Sequence, residues 1–256
     1  MRRLQAPFWQ CLQRKNLVLL CALTMGCVPP GKPDPAERPL MPNQIVSFDR
    51  LFATNCAGCH GAHGELGPAP PLNNPLFVKI VPDDVLLTVI RGGRQGTPMP
   101  PFAQEHGGTL TDEQIRILAE GIKSHWQPHK PLPETLPEYA VTKSQSGLNL
   151  HENLKRGEEI FSNACAGCHG DIGKGVGDDD DLENAINVPA FLALISDQAI
   201  RRTIICGRHD LGMPNFAETD GRSDDFQPLT SDEIDLLVAL IAHWRASGGA
   251  LAQTEP

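Results

Sequence analysis

Two five-residue motifs carry the clearest chemistry in this chain. Cys56-Ala-Gly-Cys59-His60 recurs as Cys165-Ala-Gly-Cys168-His169, 109 residues later. In such a motif each thiol can form a thioether with one vinyl group of haem, and the adjacent histidine can bind the iron. The pattern therefore predicts two covalently attached haem c groups. The predicted attachment residues are Cys56, Cys59, Cys165 and Cys168, and the predicted proximal iron ligands are His60 and His169.

A Cys-x-x-Cys pair can also be a redox dithiol or half of a zinc site. A thioredoxin-like dithiol is expected in a βαβ setting, and this chain has no such pattern. Zinc needs two further ligands near each pair. His63 could serve the first copy, but the second copy offers nothing comparable. Two copies of the complete motif therefore favour haem attachment over both alternatives.

The methionines supply candidates for the second axial ligand. Beyond residue 26 the chain has only Met41, Met99 and Met213. The last two follow their histidines by 39 and 44 residues, each in a Gly-rich loop and each followed by Pro. Met99 and Met213 are therefore the predicted second ligands. His/Met ligation raises a haem potential relative to bis-His ligation, and it fills both axial positions.

The elements that must position these residues are duplicated as well. Met-Pro-x-Phe occurs at 99–102 and again at 213–216, and each copy closes with a Leu-Thr-initiated helix ending in His-Trp. The landmarks keep their order, so we interpret the chain as a domain duplication. Apolar residues recur at helical spacing and predict an all-α fold. Predicted helix starts are capping boxes at 111–114 and 230–233, and N-caps at Asp83 and Asp197.

The composition limits the function classes. The formal net charge is −9, which argues against a general nucleic-acid binder. Aromatic residues make up only 5% of the chain, so two small domains would have thin cores unless a cofactor filled them. Removal of the basic N-terminus leaves a still more acidic protein, which suits a basic-faced partner.

The N-terminus has the pattern of an export signal. Basic residues precede an apolar run at 17–26, which is shorter than the about 20 residues that a membrane helix needs. Gly26-Cys27 and the Pro-rich segment behind it predict a bacterial lipoprotein signal, with Cys27 as the lipid-bearing residue; ordinary cleavage nearby or an uncleaved anchor are the alternatives. The predicted organisation is a lipoprotein-type signal peptide at 1–26, a Pro-rich tether at 27–43, a first domain at 44–127, a linker at 128–148, a second domain at 149–247 and a disordered tail at 248–256.

On these motifs each repeat resembles a class I cytochrome c domain, and the chain is similar to bacterial dihaem c-type cytochromes over residues 44–247. The resemblance implies that the N-terminal helix of each domain crosses the C-terminal helix through a glycine and an aromatic residue. Gly157 and Phe161 match this in the second domain, with Trp244 on the partner helix. The first domain has Phe48 where the glycine is expected, which predicts a looser or shifted crossing.

The resemblance also implies residues around each haem. A proline carbonyl would accept the Nδ1–H of the proximal histidine, and Pro68 matches this in the first domain. The second domain has no Gly-Pro there but an acidic run at 178–181, so two inequivalent haems are expected. Arg94 and Arg208 occupy matched positions before the methionine loops, where each could bind a haem propionate.

The function that follows is an exported electron carrier on the periplasmic side of the cytoplasmic membrane. It would pass single electrons between redox partner proteins, or within a membrane respiratory complex. A dihaem enzyme, such as a peroxidase or thiosulfate dehydrogenase, is the alternative, and a haem-based sensor is a third. Both need an iron with an open or unusual ligand position, for which Cys206 and His209 are the candidates.

Overall fold

The computed structural model describes residues 34, 38–65, 67–128, 131–141, 150–177, 183–223 and 225–248. Within these ranges the regular structure is helical, with isolated β-bridges and no strand, which confirms the predicted all-α class. The predicted signal peptide, Cys27 and the acidic run at 178–181 lie outside the described residues. Among those described, no helix has the length and apolar character needed to span a bilayer.

The described helices repeat in the same order in both halves. The first half contains α1 (Phe48–Asn55), α2 (Ala57–His60), α3 (Pro75–Ile80), α4 (Asp83–Gly92) and α5 (Asp112–His125). The second half contains α6 (Leu150–Ala164), α7 (Ala166–His169), α8 (Pro189–Leu194), α9 (Asp197–Cys206) and α10 (Ser231–Ala246). Short 3-10 turns lie at Pro42–Gln44, Gln104–His106 and His209–Leu211.

The helix starts follow local side-chain chemistry. Thr111 and Thr230 each form the predicted capping box with the residue three places on. The N-cap prediction for Asp83 and Asp197 was wrong by one residue. Both are the first helical residues, where a carboxylate favours the helix dipole. The capping position before α9 is taken by Ser196, whose hydroxyl accepts the Ala199 N–H at 3.2 Å.

In the second repeat, α6 crosses α10 as the sequence predicts. A Cβ on Gly157 would come within 2.9 Å of the Leu236 carbonyl oxygen, so only glycine permits this approach. The Phe161 ring meets the Trp244 ring edge-on, with 5.1 Å between centroids. The glycine and the aromatic pair therefore fix the crossing together.

In the first repeat the glycine of the crossing lies on the other helix. A Cβ on Gly121 of α5 would lie 2.0 Å from Cδ2 of Phe48, so the Phe48 ring occupies the space that the missing side chain leaves. Phe52 and Trp126 form the same edge-on pair as in the second repeat, again at 5.1 Å. The two copies thus share the aromatic pair, but the large and small residues of the crossing are exchanged between the two helices.

Because of this exchange, we expect Gly121→Ala to change the free energy of unfolding in the opposite direction from a usual Gly→Ala substitution in a helix. Gly→Ala inside a helix normally stabilises by about 1 kcal/mol. We expect Gly121→Ala to destabilise the protein instead, by about 1–3 kcal/mol, because the new methyl group overlaps the Phe48 ring. In a Phe48→Ala background the same change should be stabilising. Urea denaturation of the four variants measures this, and equal effects of Gly121→Ala in both backgrounds would contradict it.

The two repeats pack against each other, and from Pro42 onward the chain is one compact unit. Tyr139, in the segment predicted as a linker, is buried against Phe77 of α3, with 6.3 Å between ring centroids. Its carbonyl accepts a hydrogen bond from Gln198 of α9 at 2.7 Å. Asn74 Nδ2 donates to the Cys206 carbonyl at 3.0 Å. The linker is therefore tied to both repeats at Tyr139.

Candidate haem sites

Each Cys-x-x-Cys-His motif forms one helical turn directly after the first helix of its repeat. The Cys56 N–H donates to the Phe52 carbonyl at 2.8 Å, which continues α1, and the His60 N–H donates to the Cys56 carbonyl at 3.0 Å. Cys165 and His169 make the corresponding bonds at 2.8 and 3.0 Å. The hydrogen bonding thus holds the two thiols and the imidazole of each motif on a single turn.

The four motif thiols are unpaired, and their environment differs from that of a redox dithiol. Cys59 and Cys168 are exposed, whereas Cys56 and Cys165 are partly buried. Burial raises the pKa of Cys56 to about 12, and the Cys59 thiol adds to the rise. Burial likewise raises the pKa of Cys165 to about 12. The raised pKa values of these two buried thiols give the dithiol alternative no support.

The zinc alternative gains no support either. Over the ranges that the structure describes, no group of three or more His, Cys, Asp or Glu side chains could hold a metal ion.

The His60 imidazole is held by a proline carbonyl, but not by that of Pro68. Its Nδ1 lies 3.0 Å from the Pro70 carbonyl oxygen, two residues further along. The backbone explains this correction. A Cβ on Gly67 would lie 2.1 Å from the Cys59 carbonyl oxygen, which in turn accepts the Ala69 N–H at 3.0 Å. These contacts place the Pro70 carbonyl, and not that of Pro68, beside the imidazole.

The His169 imidazole has an asparagine carbonyl as its partner. Its Nδ1 lies 2.7 Å from the Asn184 carbonyl oxygen. Asn184 has a positive φ of 58°, a conformation that asparagine tolerates better than most residues. The turn is closed by paired hydrogen bonds between Val176 and Glu183 at 2.9 and 3.0 Å. Sequence reasoning missed Asn184, because no proline marks the position.

In both repeats these bonds select one form of the imidazole. A carbonyl oxygen can only accept, so Nδ1 carries the proton and Nε2 keeps its lone pair. Burial lowers the pKa of His60, the Pro70 carbonyl opposes this, and the positive charge of Arg202 lowers it further. Each motif thus presents two thiols and one metal-binding nitrogen on one turn, and this donor set fits a covalently attached haem.

Each methionine loop begins at the glycine that follows its helix, Gly93 after α4 and Gly207 after α9. Gly93 and Gly207 have φ of 69°, and a Cβ on either would lie 2.7 Å from the carbonyl oxygen of Met99 or Met213. The Arg208 N–H donates to the Met213 carbonyl at 2.9 Å, and the Arg94 N–H donates to that of Met99 at 3.1 Å. The same backbone contacts thus anchor both predicted iron ligands.

The two arginines of these loops are not equivalent. Arg208 binds the Asp210 carboxylate through Nε at 2.9 Å and Nη2 at 2.8 Å. This bond raises the pKa of Arg208 and lowers that of Asp210. The first repeat has Gly96 at the corresponding position, so Arg94 has no such carboxylate beside it. The Asp210 carboxylate already accepts from Nε and Nη2 of Arg208, and it therefore competes with the predicted haem propionate for these donors.

Cys206 and His209 have other neighbours in this structure. The Cys206 thiol is buried, contacts the Arg202 guanidinium and lies by the backbone of Phe77. Burial raises its pKa to about 11, against the opposing effect of Arg202. His209 Nε2 lies 2.8 Å from a Glu218 carboxylate oxygen. The candidate residues for an unusual iron ligand are thus engaged elsewhere.

One residue beside the second motif was missed by sequence reasoning. Arg222 donates through Nε to the Ala164 carbonyl at 3.2 Å, and its charge lowers the pKa of Cys165 against the larger effect of burial. A Cβ on the adjacent Gly221 would lie 3.2 Å from the Cys168 sulfur. The sequence feature that could have pointed to Arg222 is the length of its loop. The segment from Phe216 to the last helix is longer than the corresponding segment of the first repeat.

Comparison with known proteins assigns both repeats to one family. The family described as cytochrome c oxidase, cbb3-type, subunit III matches residues 43–120 and 152–238. The cbb3-type cytochrome c oxidase subunit FixP of Sinorhizobium medicae is 30% identical over 134 residues, which are 49% of this chain and 38% of FixP. Subunit CcoP of Rubrivivax gelatinosus is 32% identical over 138 residues, or 53% of this chain and 37% of CcoP.

A smaller relative matches a single stretch of the chain. Cytochrome c55X of Pseudomonas aeruginosa is 35% identical over 105 residues, which cover 39% of this chain and 83% of that protein. The chain spans less than two fifths of the length of the two oxidase subunits. The family match covers well over half of the chain and includes both Cys-x-x-Cys-His turns. The chain therefore belongs to the cbb3-type cytochrome c oxidase subunit III family and contains two cytochrome c domains.

Proposed function

We propose that this protein is an electron carrier with two covalently attached haem c groups, which passes single electrons between redox partners of a respiratory chain. One observation carries the proposal: each repeat combines a thiol pair with an imidazole whose Nδ1 is bound by a backbone carbonyl. When bound, haem supplies a one-electron Fe(III)/Fe(II) couple.

The chain's residues have distinct roles in this proposal. The thiols of Cys56, Cys59, Cys165 and Cys168 would hold the haem groups by thioether bonds, with each S–H added across one vinyl group. His60 and His169 offer Nε2 to the iron, and their backbone bonds prevent the rings from turning. Met99 and Met213 would supply the second ligand to each iron. With both of its ligand positions filled by the protein, an iron would exclude small molecules and exchange only electrons.

The alternative, a dihaem peroxidase or thiosulfate dehydrogenase, needs an iron open to a small ligand. Optical spectra of the full chain, made with a c-type maturation system, separate the two. Spectra are recorded oxidised, reduced, and reduced with CO. The carrier proposal expects a Met–iron charge-transfer band from both haems and no change with CO. A CO-induced shift on either haem contradicts it, and Met99→Ala and Met213→Ala then assign the open site.

The location and partners belong to the same proposal. The apolar run ending at Cys27 supports export to the periplasmic side of the cytoplasmic membrane, with a lipid on Cys27 as the anchor. The similarity of the chain to the cbb3-type oxidase subunits supports a membrane respiratory complex as the partner. Mass spectrometry of protein extracted from membranes tests the anchor. A diacylated Cys27 at the N-terminus is expected, and an unmodified N-terminus contradicts lipidation.

The role of Met213 leads to a pair of variants. Gly207 and Gly212 both have positive φ, but Gly207 (φ 69°, ψ 179°) lies in a region that is almost confined to glycine, whereas Gly212 (φ 76°, ψ 7°) is left-handed helical, so alanine strains the backbone more at Gly207. Only at Gly207 does a new Cβ approach the Met213 carbonyl oxygen; at Gly212 no atom lies within 4 Å. We expect Gly207→Ala to remove most of the Met–iron band of one haem, and Gly212→Ala to retain it. The oxidised optical spectrum measures this, and equal losses in both variants would contradict it.

A further inference from the structure

Helix α9 carries two adjacent arginines whose side chains point to different parts of the molecule. Arg201 and Arg202 are both buried, at 0% and 8% exposure. The corresponding residues of the first repeat are Leu87 and Thr88, so this charge pair is a property of the second repeat alone. Arg201 binds residues of the linker and of α10. Arg202 instead reaches the first repeat.

The Arg202 guanidinium contacts the first repeat at two points. Its Nη2 donates to the Pro71 carbonyl oxygen. Its central carbon lies 3.6 Å from the centroid of the Phe77 ring, in a cation–π contact. Pro71 follows Pro70, whose carbonyl holds the His60 imidazole. Arg202 therefore binds the loop that orients the predicted proximal ligand of the first haem.

The positive charge of Arg202 is not neutralised by a carboxylate among the described residues. Its remaining neighbours are the Cys206 thiol and the Tyr139 hydroxyl, and Arg94 adds a second positive charge. Burial lowers the pKa of Arg202 but leaves a guanidinium charged at neutral pH. An unscreened charge in a buried site acts more strongly on its surroundings than a charge in water. The charge lies near the His60 site, since the guanidinium binds the Pro71 carbonyl and the adjacent Pro70 carbonyl binds the imidazole.

We infer that Arg202 is a positioning residue for the haem site of the first repeat, and that it raises the reduction potential there. It fixes the Pro70–Pro71 segment behind His60, and its charge favours the iron state that carries one positive charge fewer. The inference rests on the proposed function, because it requires haem at His60. It also makes α9 a link between the two sites, since this helix ends at Cys206, directly before Gly207, on which the Met213 loop rests.

The test is redox titration of the haem-loaded full chain. Arg202→Gln removes the charge and retains an N–H donor for Pro71, whereas Arg202→Lys retains the charge. We expect Arg202→Gln to shift the one-electron equilibrium of the first haem at least about tenfold towards oxidation, a fall of ~59 mV. The second haem should shift much less, and Arg202→Lys should restore most of the first potential. A Met213→His background lowers the second potential and so identifies which wave belongs to which haem.

Cys206→Ala is the matched control, because it removes the thiol that contacts Arg202 without changing the charge of the site. The one-electron equilibrium constant of each haem should then stay within about threefold of its original value. If Arg202→Gln does not fold, Cys206→Asp places a carboxylate against the intact guanidinium and should lower the first potential likewise. Unchanged first-haem potentials in a folded, dihaem Arg202→Gln or Cys206→Asp protein overturn the inference alone. A wild-type chain without covalent haem, by pyridine haemochrome assay, overturns the proposed function instead.

Discussion

Replacing Cys165 and Cys168 together by alanine is expected to leave the protein with one covalent haem instead of two. The two sulfurs lie on a single turn with His169, and no other cysteine in the described residues lies on that turn. Without the thiols, the haem of the second repeat would depend on axial ligation alone and would be lost during denaturing purification. Pyridine haemochrome absorbance per polypeptide and the intact mass measure the loss directly.

Cys206→Ala is the control for this experiment. Cys206 lies in the same repeat and is buried, whereas the motif cysteine Cys165 is partly buried, and the Cys206 sulfur faces Arg202 and not the histidine turn. It should keep both haems. Cys56→Ala with Cys59→Ala should remove the other haem, and the quadruple variant should remove both. Retention of two haems after the Cys165/Cys168 change, or loss of one after Cys206→Ala, would contradict the assignment of the attachment residues.

The two haem sites are built on one plan but differ in the groups that surround them. A proline carbonyl holds His60, and an asparagine carbonyl at positive φ holds His169. Arg202 brings positive charge to the first site, and Arg222 brings it to the thiols of the second. Such groups tune potentials without changing the iron ligands. We assign the expected inequivalence of the two haems to these differences in carbonyl partner and in nearby charge.

Local patterns made much of this architecture predictable. A capping box needs only residues close in sequence, and both boxes were found at the predicted positions. The partner of His60 needed more, because the strict backbone contact at Gly67 selects Pro70 over Pro68. The exchange between Phe48 and Gly121 depends on two helices far apart in sequence, and a pattern in one helix does not reveal it.

Contacts between the repeats were the least accessible to sequence reasoning. Arg202 reads as an ordinary polar residue of an amphipathic helix, and Tyr139 as part of a polar linker. Both are buried because α9 packs against the first repeat, which the repeat pattern alone does not require. The signal that was available is the difference between the copies, since two arginines in α9 replace a leucine and a threonine.

The other arginine of α9 gives the largest expected change in stability. Arg201 Nη1 lies 2.6 Å from Asp235 Oδ1, and the two side chains are 0% and 1% exposed. The same guanidinium donates to the Ser231 hydroxyl and, at 2.9 Å, to the Glu138 carbonyl. Burial lowers the pKa of Arg201, whereas Asp235 opposes this. The pair therefore joins α9, α10 and the linker in one buried network.

Asp235→Ala should destabilise the protein by about 3–5 kcal/mol, because it leaves a buried guanidinium without its carboxylate. Urea denaturation of the haem-loaded chain at pH 7 measures the loss. Arg201→Leu combined with Asp235→Leu should recover most of it, since an apolar pair of similar volume removes both desolvation costs. Leucine already occupies the position of Arg201 in the first repeat, as Leu87. A single variant within about 1 kcal/mol of wild type, or a double variant as unstable as the single one, would show that the ion pair does not hold this interface.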